Sequence, residues 1–160
     1  MISLQERLRR VPQVGHVSWI GVRSEHGAEM AELSEVEALA QRGLRGDVAA
    51  RARTGGNRQV SLLQTEHLPV LSAFMAAAIA PHQLRRNLLI SGINLVALGK
   101  LEFRIGPEVV LQGTGACAPC SKMEETLGNG GFQAMRGHGG IIARVLHGGP
   151  IRIGDSVWVP

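Results

Sequence analysis

The chain has 160 residues, 44% hydrophobic and 19% charged, a balance that excludes a disordered or membrane chain and suits one well-buried domain spanning residues 1–160, with its core at about 15–159. The longest apolar stretch, Leu88 to Leu98, is interrupted by Ser91, Gly92 and Asn94 and falls short of a membrane span. A net charge of +4 admits an anionic ligand, but 3% aromatic residues, no tyrosine and scattered basic residues argue against nucleic acid and favour a small phosphorylated ligand.

Met1 to Arg10 alternates apolar and charged residues without a signal-peptide core, so a cytoplasmic location is expected. Arg7, Arg9 and Arg10 are expected to form a solvated terminus. Strands are predicted at Gly15 to Val22 and at Val36 to Ala40, followed by a glycine-bearing loop from Gly43 to Asp47. Gln59 to Leu63 is a further strand. Thr65 is expected to cap a helix running through the alanines 76–78 to Ala80, where Pro81 ends it.

Asn87 to Ser91 suits a strand buried on both faces. Phe103-Arg-Ile-Gly and Ile151-Arg-Ile-Gly each precede a strand, a short echo that predicts one turn solution used twice and not a duplicated domain. Gly139 to Leu146 is a strand, ended by Gly148-Gly149-Pro150. The segment from Gly128 to Gly140 is either a lid or a turn-rich connection. Twenty-one glycines with many short β-branched runs predict a mainly β fold, a closed barrel with a few peripheral helices.

Both cysteines fall in Gly113-Thr-Gly-Ala-Cys117-Ala-Pro-Cys120-Ser-Lys-Met-Glu-Glu125, between a predicted strand and a predicted helix. Ser121 to Glu124 has the form of a capping box, and Gly128 is placed to stop the helix after Leu127. Cys120 then lies just outside the helix start, where backbone N–H groups, the helix dipole and Lys122 favour a thiolate. The plainer alternative makes both cysteines small buried residues. A Cys-x-Pro-Cys pair also suits a thiol–disulfide oxidoreductase, although such motifs stand early in α/β chains. Zinc is disfavoured because the spacing of His138 and His147 is too wide.

In its combination of segments the chain resembles the MOSC domain, named for the C-terminal domain of molybdenum cofactor sulfurases. The resemblance rests on Gly43-Leu-Arg-Gly-Asp47, Arg58 to Leu62 followed by Glu66, Arg85-Arg-Asn-Leu-Leu-Ile-Ser-Gly92, Pro119-Cys120, Gly139 to Arg144, and Gly149 to Asp155. It implies a closed β-barrel of the pyruvate kinase type and a molybdenum or tungsten pterin cofactor. It places Cys120 as a thiolate ligand of the metal, in an enzyme that reduces N-hydroxylated compounds. The same resemblance admits a sulfur carrier with a persulfide on Cys120, supplied by a partner desulfurase that would hold any pyridoxal phosphate. A reductase would need a redox partner, since the chain carries no iron–sulfur, flavin or haem motif.

Arg85 and Asn87 match an element that contacts the cofactor in the reductase members, and a guanidinium suits its phosphate. Arg58, Asp47, Ser121 and Lys122 lie in matched segments and complete the expected cofactor-binding set. The histidine common after the family's Gly-Asp pair is absent, since Val48-Ala49-Ala50 follows Asp47.

Overall fold

The computed structural model describes residues 1–160. A short helix α1 (Leu4–Arg9) precedes strands β1 (Gly15–Val22), β2 (Ala31–Leu33), β3 (Glu35–Leu39), β4 (Gly43–Leu44) and β5 (Val60–Gln64). Helix α2 (His67–Met75) leads to β6 (Leu88–Ser91), α3 (Leu95–Leu98), β7 (Glu102–Ile105) and β8 (Val109–Ala116). Helices α4 (Lys122–Leu127) and α5 (Gly131–Met135) come next, then β9 (Ile141–His147), β10 (Gly149–Arg152) and β11 (Ser156–Trp158).

Seven strands close on themselves in the order β11, β7, β8, β9, β5, β6, β1, with β1 returning to β11. Closure removes exposed edges, as the short, glycine-punctuated strands predict. β1 achieves it by sharing one edge: Gly15 and His16 face β11, while Ile20 to Val22 face β2. A separate sheet of β10, β3 and β4 flanks the barrel. No helix is long and apolar enough to cross a membrane.

Two apolar clusters follow from strand periodicity. Val60 and Leu62 of β5 and Leu88 and Ile90 of β6 point into the barrel, while Leu63 and Leu89 point outward onto Leu71, Leu84, Met123 and Met135. β5 and β6 form the parallel pair of the sheet and are covered on both faces, which explains their unbroken apolar runs. In β1 a bulge between Val17 and Trp19 resets the alternation, so that Val17 and Ile20 both enter the barrel and Trp19 joins the outer cluster.

The two echoed segments do share a turn: Gly106 and Gly154 have positive φ, 63° and 89°. Their consequences differ, because β7 and β8 pair as a hairpin whereas β10 pairs with β3 and β11 with β7 and β1.

Three sequence expectations are corrected. The helix expected to reach Ala80 stops at Met75; Ala76 turns left-handed at φ 52°, and the N–H groups of Ala76 and Ala77 both donate to the Ser72 carbonyl. The Ser72 hydroxyl then accepts from Ile79 N–H at 3.3 Å, which folds the chain back so that Ile79 packs on the outer cluster. Tertiary burial thus outweighs the helix propensity of three exposed alanines. Thr65 does not cap this helix; its hydroxyl meets that of Ser18 at 2.6 Å. The capping box at Ser121 is also not formed, since Ser121 makes no side-chain cap bond. Glu124 instead accepts from Gly130 N–H at 3.2 Å and Phe132 N–H at 2.8 Å, capping α5 across the intervening turn. The segment left open as lid or connection therefore contains α5, with Gly131, Ala134 and Met135 buried.

Candidate functional site

Strand direction brings the basic residues together. Arg23 follows the end of β1, Arg85 and Arg86 precede β6, and Arg58 precedes β5; β1 is antiparallel and β5 parallel to β6, so all three approaches share one side. Arg23, Arg58 and Arg85 line one cleft with Asp47, the sole carboxylate there. Arg86 is buried at 3% exposure outside the cleft lining, donating from Nε to the Gly139 carbonyl at 2.9 Å and from Nη1 to the Leu84 carbonyl at 3.1 Å.

The cluster is electrostatically unbalanced. Burial, and then the charge of Arg85, holds Arg23 below the usual arginine range, with Asp47 acting in the opposite direction. Burial likewise depresses Arg86, opposed first by Cys117. Nε and Nη2 of Arg85 and Nη2 of Arg86 are buried without a hydrogen-bond partner. Unpaired buried donors are costly, and guanidiniums carry five N–H groups matched to oxyanions, so Arg85, which lines the cleft, is suited to an anion there, whereas Arg86 Nη2 lies against Gly139 and outside the cleft lining. Arg85 is also held at φ 56°, ψ 38°, in the left-handed region, which costs a side-chain-bearing residue about 1–2 kcal/mol.

Asp47 and Asn87 hold this arrangement in place. The Asn87 amide oxygen accepts from the N–H of Ser61 at 3.0 Å and its hydroxyl at 3.1 Å. Its amide nitrogen donates to the Gly21 carbonyl at 3.1 Å and to Asp47 Oδ1 at 3.2 Å. All four bonds an asparagine side chain can make are made, leaving no amide hydrogen for a ligand. Asp47 accepts in addition from the N–H groups of Arg23, at 3.0 Å, and Ala49, at 3.1 Å. Both residues tie β1, β5 and β6 to the loop after β4, and so position the arginines.

The turn after β8 brings in the cysteines. Cys117 N–H donates to the Gly140 carbonyl at 2.9 Å, and a β-carbon at Gly139 would collide with the Cys117 carbonyl, so the glycine pair is what lets the turn lie against β9. Cys117 is buried at 2% exposure, and Arg58 Nη2 donates to its Sγ at 3.5 Å. Cys120 is an exposed free thiol within electrostatic range of Arg23 and Arg86. Ser121 is exposed, and Lys122 pairs with Glu125 of its own helix at 3.4 Å. No three His, Cys, Asp or Glu side chains gather as a metal-holding set, so a metal at Cys120 must bring its other ligands.

The structure thus gathers Arg58, Arg85, Asp47 and Asn87, leaves Ser121 and Lys122 outside the cleft, and adds Arg23, with Cys117 bonded to Arg58 and Arg86 buried outside the cleft lining. Arg23 had a visible signal, an arginine directly after an apolar strand, and Arg86 lies inside the matched Arg-Arg-Asn element.

A family model described as the MOSC domain matches residues 26–158. The chain belongs to the MOSC family. Among solved structures, the MOSC chain is similar to the YuaD protein of Bacillus subtilis, at 18% identity and a TM-score of 0.76, covering 92% of this chain and 97% of that one. It is similar to YiiM of Geobacillus stearothermophilus, at 15% identity and a TM-score of 0.71, covering 91% and 75% of the two chains. YiiM of Escherichia coli gives 20% identity and a TM-score of 0.67, with coverages of 91% and 69%. At these identities the likeness concerns the fold. No curated protein sequence matches the MOSC chain.

Proposed function

We propose that this MOSC protein binds a molybdenum or tungsten pterin cofactor, with Cys120 as the thiolate ligand of the metal and the arginine cleft as the seat of the pterin phosphate. The observation that carries the reading is the cleft lined by Arg23, Arg58 and Arg85 with a single carboxylate, in which two buried nitrogens of Arg85 have no partner, together with an exposed thiol within electrostatic range of Arg23. An anionic group satisfies those donors, and a soft thiolate suits a metal whose other ligands are sulfur.

In this reading the bound cofactor supplies oxygen-atom transfer, here the reduction of an N-hydroxylated compound. Arg85 binds and orients the phosphate, and Arg23 and Arg58 offset its charge, while the buried Arg86 ties the Gly139 and Leu84 carbonyls together. Asp47 and Asn87 keep those arginines in register. Arg58 joins the two parts of the site, since the same guanidinium lines the cleft and holds Cys117. Electrons come from a separate redox protein, in the cytoplasm.

The test is to purify the protein from a host that makes the cofactor and to measure molybdenum, tungsten and pterin. Stoichiometric metal and pterin, with metal lost in Cys120→Ser and retained in Cys117→Ser, supports the reading. Absence of both metals and of pterin from the wild-type protein overturns it.

The exposure of Cys120 favours a second reading, a sulfur carrier. Its thiolate would attack the outer sulfur of a desulfurase persulfide, forming a Cys120 persulfide and releasing the donor cysteine thiolate. Mass spectrometry after incubation with a desulfurase would show one added sulfur on Cys120; an unmodified protein, under conditions that load a known carrier, excludes it. The dithiol reading is disfavoured by the burial of Cys117.

A further inference from the structure

A larger concavity, about 930 Å3, adjoins the same cysteine turn. Cys117, Ala118 and Pro119 form part of its wall, whereas Arg23, Arg58 and Arg85 of the polar cleft do not reach it. The turn walls this hollow directly through residues 117–119 and meets the polar cleft through the bond from Arg58 to Cys117, while Cys120 lines neither cavity. The hollow is apolar inside: Leu8 of α1, Val96 of α3 and Ile141 of β9 are among its lining residues. Leu8 and Val96 are 64% and 72% exposed, an unusual waste of large apolar side chains facing a common hollow.

The charge of the groove has one sign. Arg7, Arg9, Arg10 and Lys100 line it and no aspartate or glutamate does. None of these four cations takes part in an ion pair, since the three ion pairs of the protein involve Arg45, Lys122 and Arg152. α1, which bears Arg7, Arg9 and Leu8, buries no residue of its own. The connection after it is held through Val11, which packs on the barrel core. A helix with exposed leucines and unpaired arginines over an open groove lacks both an apolar and an anionic partner.

We propose that this groove binds a small molecule with an apolar body and an anionic head, and presents it to the cysteine turn as the substrate. Calling the ligand a substrate rests on the reading of Cys120 as the reactive site; the binding itself does not. The body covers Leu8 and Val96 and removes their apolar surface from water. The anionic head meets Arg7, Arg10 and Lys100 at the rim. A membrane surface would offer similar chemistry, but the groove is concave and reaches inward to Cys117 and Gly139, which a bilayer surface cannot follow.

Isothermal titration of the full chain with decanoate, below its micelle concentration, tests the proposal against decanol and decylammonium. Saturable one-to-one binding of decanoate is expected, with decylammonium weaker by about tenfold or more. Lys100→Glu and Arg10→Glu should each weaken decanoate by about tenfold, and Leu8→Glu should abolish saturable binding. Leu8, Arg10 and Lys100 are exposed, so these variants leave the core intact. Cys120→Ser should bind decanoate as the wild type does, so metal loss and groove loss are separable. Equal affinity for decylammonium, indifference to all three substitutions, or sedimentation with anionic vesicles without saturable decanoate binding overturns the proposal.

Discussion

The guanidinium of Arg58 donates to the sulfur of Cys117 at 3.5 Å, so two cysteines three residues apart occupy different surroundings. One is buried and held by a cation that also lines the polar cleft; the other is exposed at the start of α4. A sequence motif with formal symmetry is divided by the fold into an accessible thiol and an enclosed one.

This asymmetry predicts alkylation. Brief treatment of the native protein with iodoacetamide should modify Cys120 alone, and unfolding in guanidinium chloride should expose both cysteines. Peptide mass spectrometry reads the result. Equal modification of Cys117 in the native protein would contradict its burial.

Asn87→Ala removes four hydrogen bonds among buried groups and leaves the Ser61 N–H, the Gly21 carbonyl and Asp47 short of partners. The expected loss is about 3 kcal/mol in urea unfolding, larger than for an exposed polar residue. A loss below about 1 kcal/mol would mean that the network does not hold the strands together.

Arg85→Gly separates strain from binding. Glycine accepts φ 56° without the β-carbon penalty, so the variant should be more stable by up to about 1 kcal/mol. It should also bind inorganic phosphate or cofactor more weakly, because the cleft loses a guanidinium. A variant that gains stability and keeps full anion affinity would remove Arg85 from the proposed cradle.

His67 supplies a pH dependence. Its ring meets that of His138 edge-on, with centroids 4.9 Å apart. Burial, then His138, lowers its pKa from the ordinary 6.5, with Glu66 opposing. Below 6.5 the unfolded chain takes up a proton that the folded chain resists. Stability from this residue is therefore complete above that pH and is lost as pH falls through the folded-state value. The pH dependence of the melting temperature in this range should be shallower in His67→Asn than in the wild type; identical slopes would exclude the contribution.

Much of the barrel is legible in the chain because a strand buried on one or both faces imposes period two or an unbroken apolar run. β1 coincides with its predicted span, and β5, β6 and β9 differ from theirs mainly at the ends. The misjudged features are those in which a local preference competes with a distant partner. The alanines 76–78 favour helix, yet Ile79 finds burial by turning back. Ser121 and Glu124 have the spacing of a capping box, yet Glu124 is taken by the N–H groups of α5.

The residues alone determined a mainly β domain, its family, and the turn that carries its thiols, because periodicity, glycine placement and motif order are local properties of the chain. Only the tertiary structure decided that Asn87 and Asp47 brace the cleft, that Arg23 joins it, and that Cys117 is enclosed. Those outcomes depend on which strand ends meet when the barrel closes, and the hydrogen-bond capacity of each polar group is assigned only then.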